Sequence, residues 1–369
     1  MRRWMILCCV LLLTTPWVSC TRGWELTVRQ EDGTSATFTS EQWKTLARAY
    51  PEQVQEETAL ALERVLWESG ITAVESVQVA GQDYAWQDVY ADSWLLKSGE
   101  VRMAGQTVTA SEIVVTPPDQ TTRLRLIDMT PTIAGALGIS SPQGTQGHAL
   151  GAFSTQQVIL ITIDGLSYLA YEGVRDQDVT PLLDSLAVPK LMLSSYPSTS
   201  EAAIAALLRG ADTDKTQDAA ASETLFDVLA AAGKTGVAVL PGSSAVELGP
   251  AKRILVEPAS EDQDVTATAI DAALRVLQDE SPALLWLHLD GLARAAATYG
   301  LSTDETTACL TAIDGQIQRL IAGAPFSGLI LVLGTTGLHP PPAGETQGVI
   351  SGTLLAADMY VPLWVIELS

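Results

Sequence analysis

Continuous apolar runs alternate with amphipathic stretches through the second half of the chain. The runs are VILITI (158–163), GVAVL (236–240), RILVE (253–257), ALLWLHL (283–289), LILVLG (329–334) and MYVPLWVIEL (359–368). Unbroken rather than alternating apolarity predicts strands buried on both faces, hence a largely parallel sheet covered by helices on both sides. Apolar residues at helical spacing in TPLLDSLA, AAIAALLRG, TLFDVLAAAG and ATAIDAALRVLQDE predict the covering helices, two of which stop at glycine.

The first third is patterned differently. WELTVRQ alternates like a half-buried strand, and EETALALERVLWESG carries apolar residues at helical spacing up to Gly70. SVQVAGQDYAW, EVRMAG, QTVTA and EIVVTPP then predict short strands separated by turns. The expected organisation is a small α+β domain over 24–118, with a structural or ligand-presenting role, followed by an α/β domain over 124–369.

The extreme amino terminus is read as an address. Arg2 and Arg3 precede an apolar stretch from Trp4 to Leu13 that is too short to span a bilayer, so residues 1–20 predict an export signal. Val18, Ser19 and Cys20 resemble the end of a bacterial lipoprotein cleavage box, which makes Cys20 the expected lipidation site and the cell envelope the expected location. Ordinary cleavage or an uncleaved anchor is the alternative. Beyond Cys20 only Cys309 remains, expected as a buried, inert thiol. The net charge of −22 argues against nucleic acid as a partner and leaves a lipid anchor as the expected link to a membrane.

Ligand-binding residues of parallel sheets collect where strands end at their carboxyl side. Three runs end in suggestive residues: Asp164-Gly165, Asp290-Gly291 and Thr335-Thr336-Gly337. The segment Ser195-Tyr196-Pro197-Ser198-Thr199-Ser200 leads into the helix AAIAALLRG. On local grounds Asp164 reads as a cap on its turn, and Ser200 as a helix N-cap with Glu201 in the first turn.

The succession VILITIDGL, TPLLDSLA and YPSTSEAAIAALLRG resembles the alkaline phosphatase superfamily, in particular its nucleotide pyrophosphatase and type I phosphodiesterase branch. The resemblance implies that Asp164 binds a metal and that Ser200 is the metal-activated nucleophile, since coordination to a divalent cation makes an alkoxide accessible at neutral pH. It also implies a metal ligand at Asp290. The chain then departs from the pattern: Arg294 stands where a histidine ligand is expected, Thr335 and Thr336 replace an Asp-His pair, and Ala203 replaces a phosphate-contacting Asn. Of the three histidines, His148, His288 and His339, none falls at a ligand position, although His339 could reach a metal from its loop.

Arg294 reads either as the partner of Asp290 or as part of a metal-free anion pocket with Ser200 and the helix terminus. LRLIDMTPTIAGALGISSPQGTQGHAL (124–150) resembles the closing segment of the same family, displaced to the front, which implies a circular permutation with the core at 156–369. In that segment Pro131 suits a helix start, Gly138 a helix end and Asp128 a cap.

The expected function is an exported pseudoenzyme that binds a ligand or partner, the family resemblance implying a phosphate-containing small molecule, with no cofactor. The alternative is an active phosphoric ester hydrolase with a reduced site, in which Ser200 works with zinc or another divalent metal. A structural envelope protein with a filled cleft is the third reading.

Overall fold

The computed structural model describes residues 23–212, 223–244, 246, 248–257, 265–342 and 348–368. Cys20 and the rest of the expected export signal lie outside the described residues. The first unit runs β1 (Glu25–Gln30), β2 (Ser35–Thr39), α1 (Ser40–Ala49), β3 (Glu52–Val54), β4 (Glu57–Ala61), α2 (Leu62–Glu68), β5 (Ser76–Val79) and β6 (Gln82–Ala85). It continues with α3 (Trp86–Val89), β7 (Ser93–Leu96), β8 (Val101–Met103), β9 (Gln106–Val108) and β10 (Glu112–Thr116).

These strands form two five-stranded sheets, ordered β2-β1-β10-β5-β6 and β3-β4-β7-β8-β9. The stretch expected as one helix over EETALALERVLWESG divides instead. Glu57–Ala61 pairs with β3 and β7, and the helix begins only at Leu62. Pairing on both flanks outweighs a helical spacing that either element tolerates.

The chain then passes through α4 (Met129–Ala136), β11 (Val158–Ile163), α5 (Tyr168–Val174), α6 (Pro181–Ser185), β12 (Lys190–Leu193), α7 (Ser200–Arg209) and α8 (Leu225–Ala231). After β13 (Gly236–Pro241), β14 (Lys252–Val256) and α9 (Val265–Asp279) come β15 (Leu284–Leu289), α10 (Gly291–Tyr299), α11 (Asp304–Gly323) and β16 (Gly328–Gly334). The described chain closes with α12 (Ala356–Met359) and β17 (Tyr360–Leu368). A seven-stranded sheet results, ordered β12-β17-β16-β11-β15-β13-β14. The five strands from β16 to β14 are parallel, while β17 runs antiparallel to β16 and β12 antiparallel to β17.

The sheet separates two cores. Leu160, Trp286, Leu331 and Ala238 pack with Ile133, Ile204, Leu207 and Phe226 on one face. Ile161, Leu287 and Val332 pack with Ile270, Ile313 and Ile317 on the other. Both faces of β11 and β15 are fully buried, as their unbroken apolarity predicts. Cys309 is half-buried at the margin of the second core rather than inside it.

Segment 124–150 lies along α7. Leu124 O accepts from Leu193 N, Thr130 Oγ1 donates to Leu207 O, and the N–H groups of Gln146 and Gly147 donate to Gly210 O. Asp128 ties this segment by accepting from the Arg125 and His148 N–H groups, both at 2.7 Å.

Candidate functional site

Thr162 on β11 is in register with His288 on β15, and Leu160 with Trp286. Alternation along a strand therefore sends Thr162, Asp164, Trp286, His288 and Asp290 to the face covered by α7. Asp164 leaves β11 into a turn that requires Gly165 at φ +83°. Asp290 leaves β15 directly into α10.

Each carboxylate meets partners from this chain. Thr335 Oγ1 and Thr336 Oγ1 both donate to Asp164 Oδ1, at 3.0 and 3.1 Å. Thr335 is held in place because its N–H donates to Ile163 O and its carbonyl accepts from the Ser194 hydroxyl. Arg294 Nη2 lies 3.2 Å from Asp290 Oδ1, with the Asp290 side chain 17% and the Arg294 side chain 48% exposed. Burial raises the Asp290 pKa, and the charges of Arg294 and His288 work against that.

Ser200 is the first residue of α7, but it is not the cap. Thr199 takes that position and accepts from Ala202 N at 3.4 Å. Among the described residues no hydrogen bond joins the Ser200 hydroxyl to His288, Asp164 or Asp290. Ala203, one turn further, is fully buried in the core beneath α7.

His288 is the residue that sequence reasoning missed. Trp286 Nε1 donates to Thr162 Oγ1 at 2.9 Å, and Thr162 Oγ1 lies 2.9 Å from His288 Nδ1. Burial lowers the His288 pKa against the opposing pull of Asp164 and Asp290. His339 sits buried in the connection between β16 and α12, and both ring nitrogens meet partners of this chain: Nδ1 lies 2.7 Å from Asp358 Oδ1 and Nε2 2.9 Å from Tyr90 Oη.

A cavity of about 380 Å³ opens between these strand ends and α7. Asp164, Ser200, His288 and Asp290 line one part, and Ile204, Ala205 and Leu208 supply an apolar wall. Arg209 lines it from the other end of α7, whereas Arg294 is not among the lining residues. The structure thus brings Asp164, Ser200 and Asp290 together and sets Arg294 outside, on Asp290.

The donor set does not fit a two-metal centre, which needs clustered carboxylates and imidazoles from several strand ends. Among the described residues no group of three or more His, Cys, Asp and Glu stands ready to hold a metal ion. Threonine hydroxyls and a guanidinium occupy the carboxylate oxygens instead. Among the described residues no helix is long and apolar enough to cross a membrane.

No family model matches the chain, and no curated protein does. Solved structures do show likeness. The C-terminal periplasmic domain of EcEptC from Escherichia coli in complex with zinc is 15% identical over 58% of this chain and 73% of its own, with a TM-score of 0.42. Phosphonoacetate hydrolase from Sinorhizobium meliloti 1021, in complex with phosphonoacetate, is 14% identical over 51% of this chain and 58% of its own, with a TM-score of 0.38. Murine ectonucleotide pyrophosphatase/phosphodiesterase 5 is 10% identical over 51% and 59%, with a TM-score of 0.39.

Proposed function

We propose that this protein is an exported, lipid-anchored pseudoenzyme that binds a small molecule in the cavity beside Asp164, Ser200 and Asp290 without hydrolysing it. The observation that carries the reading is the pair of hydroxyl donors, Thr335 and Thr336, on Asp164 Oδ1, where a hydrolase would present further metal ligands. Arg294 on Asp290 supports it in the same way, by answering one carboxylate charge with a fixed cation. Without a cation to lower its pKa, the Ser200 hydroxyl is a poor nucleophile.

One observation favours the rival reading of a reduced hydrolytic site: Ser200 lines the cavity at the amino end of α7. The two readings separate on metal content and turnover. After incubation with zinc and dialysis, the protein is expected to retain no stoichiometric metal by elemental analysis. Aryl phosphate mono- and diesters are expected to turn over no faster with the wild type than with Ser200→Ala. Retained zinc together with Ser200-dependent turnover would overturn the proposal.

A further inference from the structure

We infer that a second cavity, on the face of the sheet opposite α7, holds the hydrocarbon chain of a single-chain lipid whose head group carries no negative charge. It shares no lining residue with the cavity beside α7, and it would hold its ligand whether or not that site is catalytic.

The cavity lies past the carboxyl ends of β11, β15 and β16, where α5, α10 and the start of α11 come together. Leu166, Leu292 and Leu310, which belong to the second core, form its apolar wall with Leu169, Leu301 and Leu338. None of the described lining residues is Asp, Glu, Lys or Arg, on a chain with 43 acidic and 21 basic residues. Polar groups in the wall are mostly engaged within the chain. Ser167 Oγ accepts from the Leu169 and Ala170 N–H groups, Thr306 Oγ1 donates to Gly300 O at 2.7 Å, and the ring nitrogens of His339 meet Asp358 and Tyr90. Such a wall has nothing to offer an ion and little to offer water, so it favours apolar surface. At roughly 30 Å³ for each group the size of a water molecule, about 620 Å³ is space for about twenty methylenes, which is one acyl chain.

Helix α5 leaves this space open by its choice of residues. Gly173 lines the cavity as the sixth of the seven residues of α5, without a positive φ, and a Cβ there would meet nothing within 4 Å. Alanine would strengthen the helix, and neither the backbone nor a neighbour forbids it. The bare backbone instead lets a ligand lie directly against α5. Leu169, four residues earlier on the same face of α5, is 43% exposed, and a chain lying in the cavity covers it. The head group stays at the mouth. Ser302 there is exposed, and Asp304 and Glu305 follow it in the first turn of α11. Those carboxylates already answer the helix dipole and repel an anionic head, whereas an uncharged glyceryl head can use the hydroxyls of Ser302 and Thr307.

The test follows the fluorescence of N-phenyl-1-naphthylamine, an uncharged apolar probe, on the full-length protein at neutral pH. Competitors are 1-monooctanoin, 1-monodecanoin, 1-monolaurin and laurate, each below its micellar concentration. Saturable probe binding is expected, with displacement strengthening roughly tenfold for each added pair of methylenes and laurate about tenfold weaker than 1-monolaurin. Gly173→Phe, which fills the cavity from a position where a Cβ meets nothing, is expected to abolish saturable binding, whereas Gly173→Ala keeps it and melts no lower than the wild type. Leu169→Asp alters an exposed position and is expected to weaken binding about tenfold, which keeps the test decisive even where Gly173→Phe fails to fold. Absence of saturable binding in the wild type, displacement indifferent to chain length, laurate as effective as 1-monolaurin, or wild-type affinity in a folded Gly173→Phe or in Leu169→Asp overturns the assignment.

Discussion

Gly165 shows how narrowly the turn after Asp164 is specified. At φ +83° a side chain is strained, and a Cβ there would stand 2.9 Å from Leu338 Cδ1 and 3.1 Å from Ala293 Cα. Gly165→Ala is expected to cost about 1–3 kcal/mol in urea unfolding, with an unchanged denaturant slope. The Asp-Gly pair was legible in the sequence because a strand-end carboxylate next to a glycine is an ordinary sign of a site in a parallel sheet. His288 was not, because inside ALLWLHL it reads as one more buried position. The signal was there in the alternation: Leu284, Trp286 and His288 share one face, and a polar residue at its carboxyl end points toward the site. The partners of Asp164 were hidden for another reason, since two threonines after a strand say nothing about which carboxylate they will meet.

Helices on the second face of the sheet are tied by one buried carboxylate. Asp314, within α11 and fully buried, accepts from the N–H groups of Leu182 and Leu183 at the start of α6, each at 2.9 Å. It satisfies two of the donors that a helix start leaves open. Asp314→Ala strands both, and a loss of about 1–3 kcal/mol is expected in chemical denaturation, with Asp314→Asn milder because one acceptor oxygen remains. Elements of this length and periodicity were readable: six strands and the helices between them follow from apolar runs and 3.6-residue spacing. Several elements escaped, α1 and α10 among them, and two strands show why. KLML at β12 is a four-residue edge strand with an exposed start, too short to stand out. The Glu57–Ala61 strand shares its residues with a helical pattern and is decided by its neighbours β3 and β7.

The two sheet systems of the molecule meet across a buried polar seam. Glu63 Oε1 accepts from Leu354 N at 2.9 Å and from Trp86 Nε1 at 3.3 Å, while Asp358, His339 and Tyr90 continue the seam. Burial pushes the Glu63 carboxyl up to about 8, further than its hydrogen bonds hold it down. The folded protein therefore keeps Glu63 protonated where the unfolded chain ionises it. Its contribution is whole below the ordinary carboxylate range and is lost as pH rises from about 5 through about 8. Unfolding measured across that window is expected to show stability falling with pH, by a few kcal/mol at most. Glu63→Gln should flatten the slope. Around the seam, Leu193, Tyr196, Leu354, Met359 and Tyr360 of the larger unit are packed into the same core as Leu60, Leu66 and Trp86 of the smaller. A gene fragment encoding only the larger unit would therefore send out a molecule with a raw, greasy flank, and its natural fate in the test tube is self-association into precipitate.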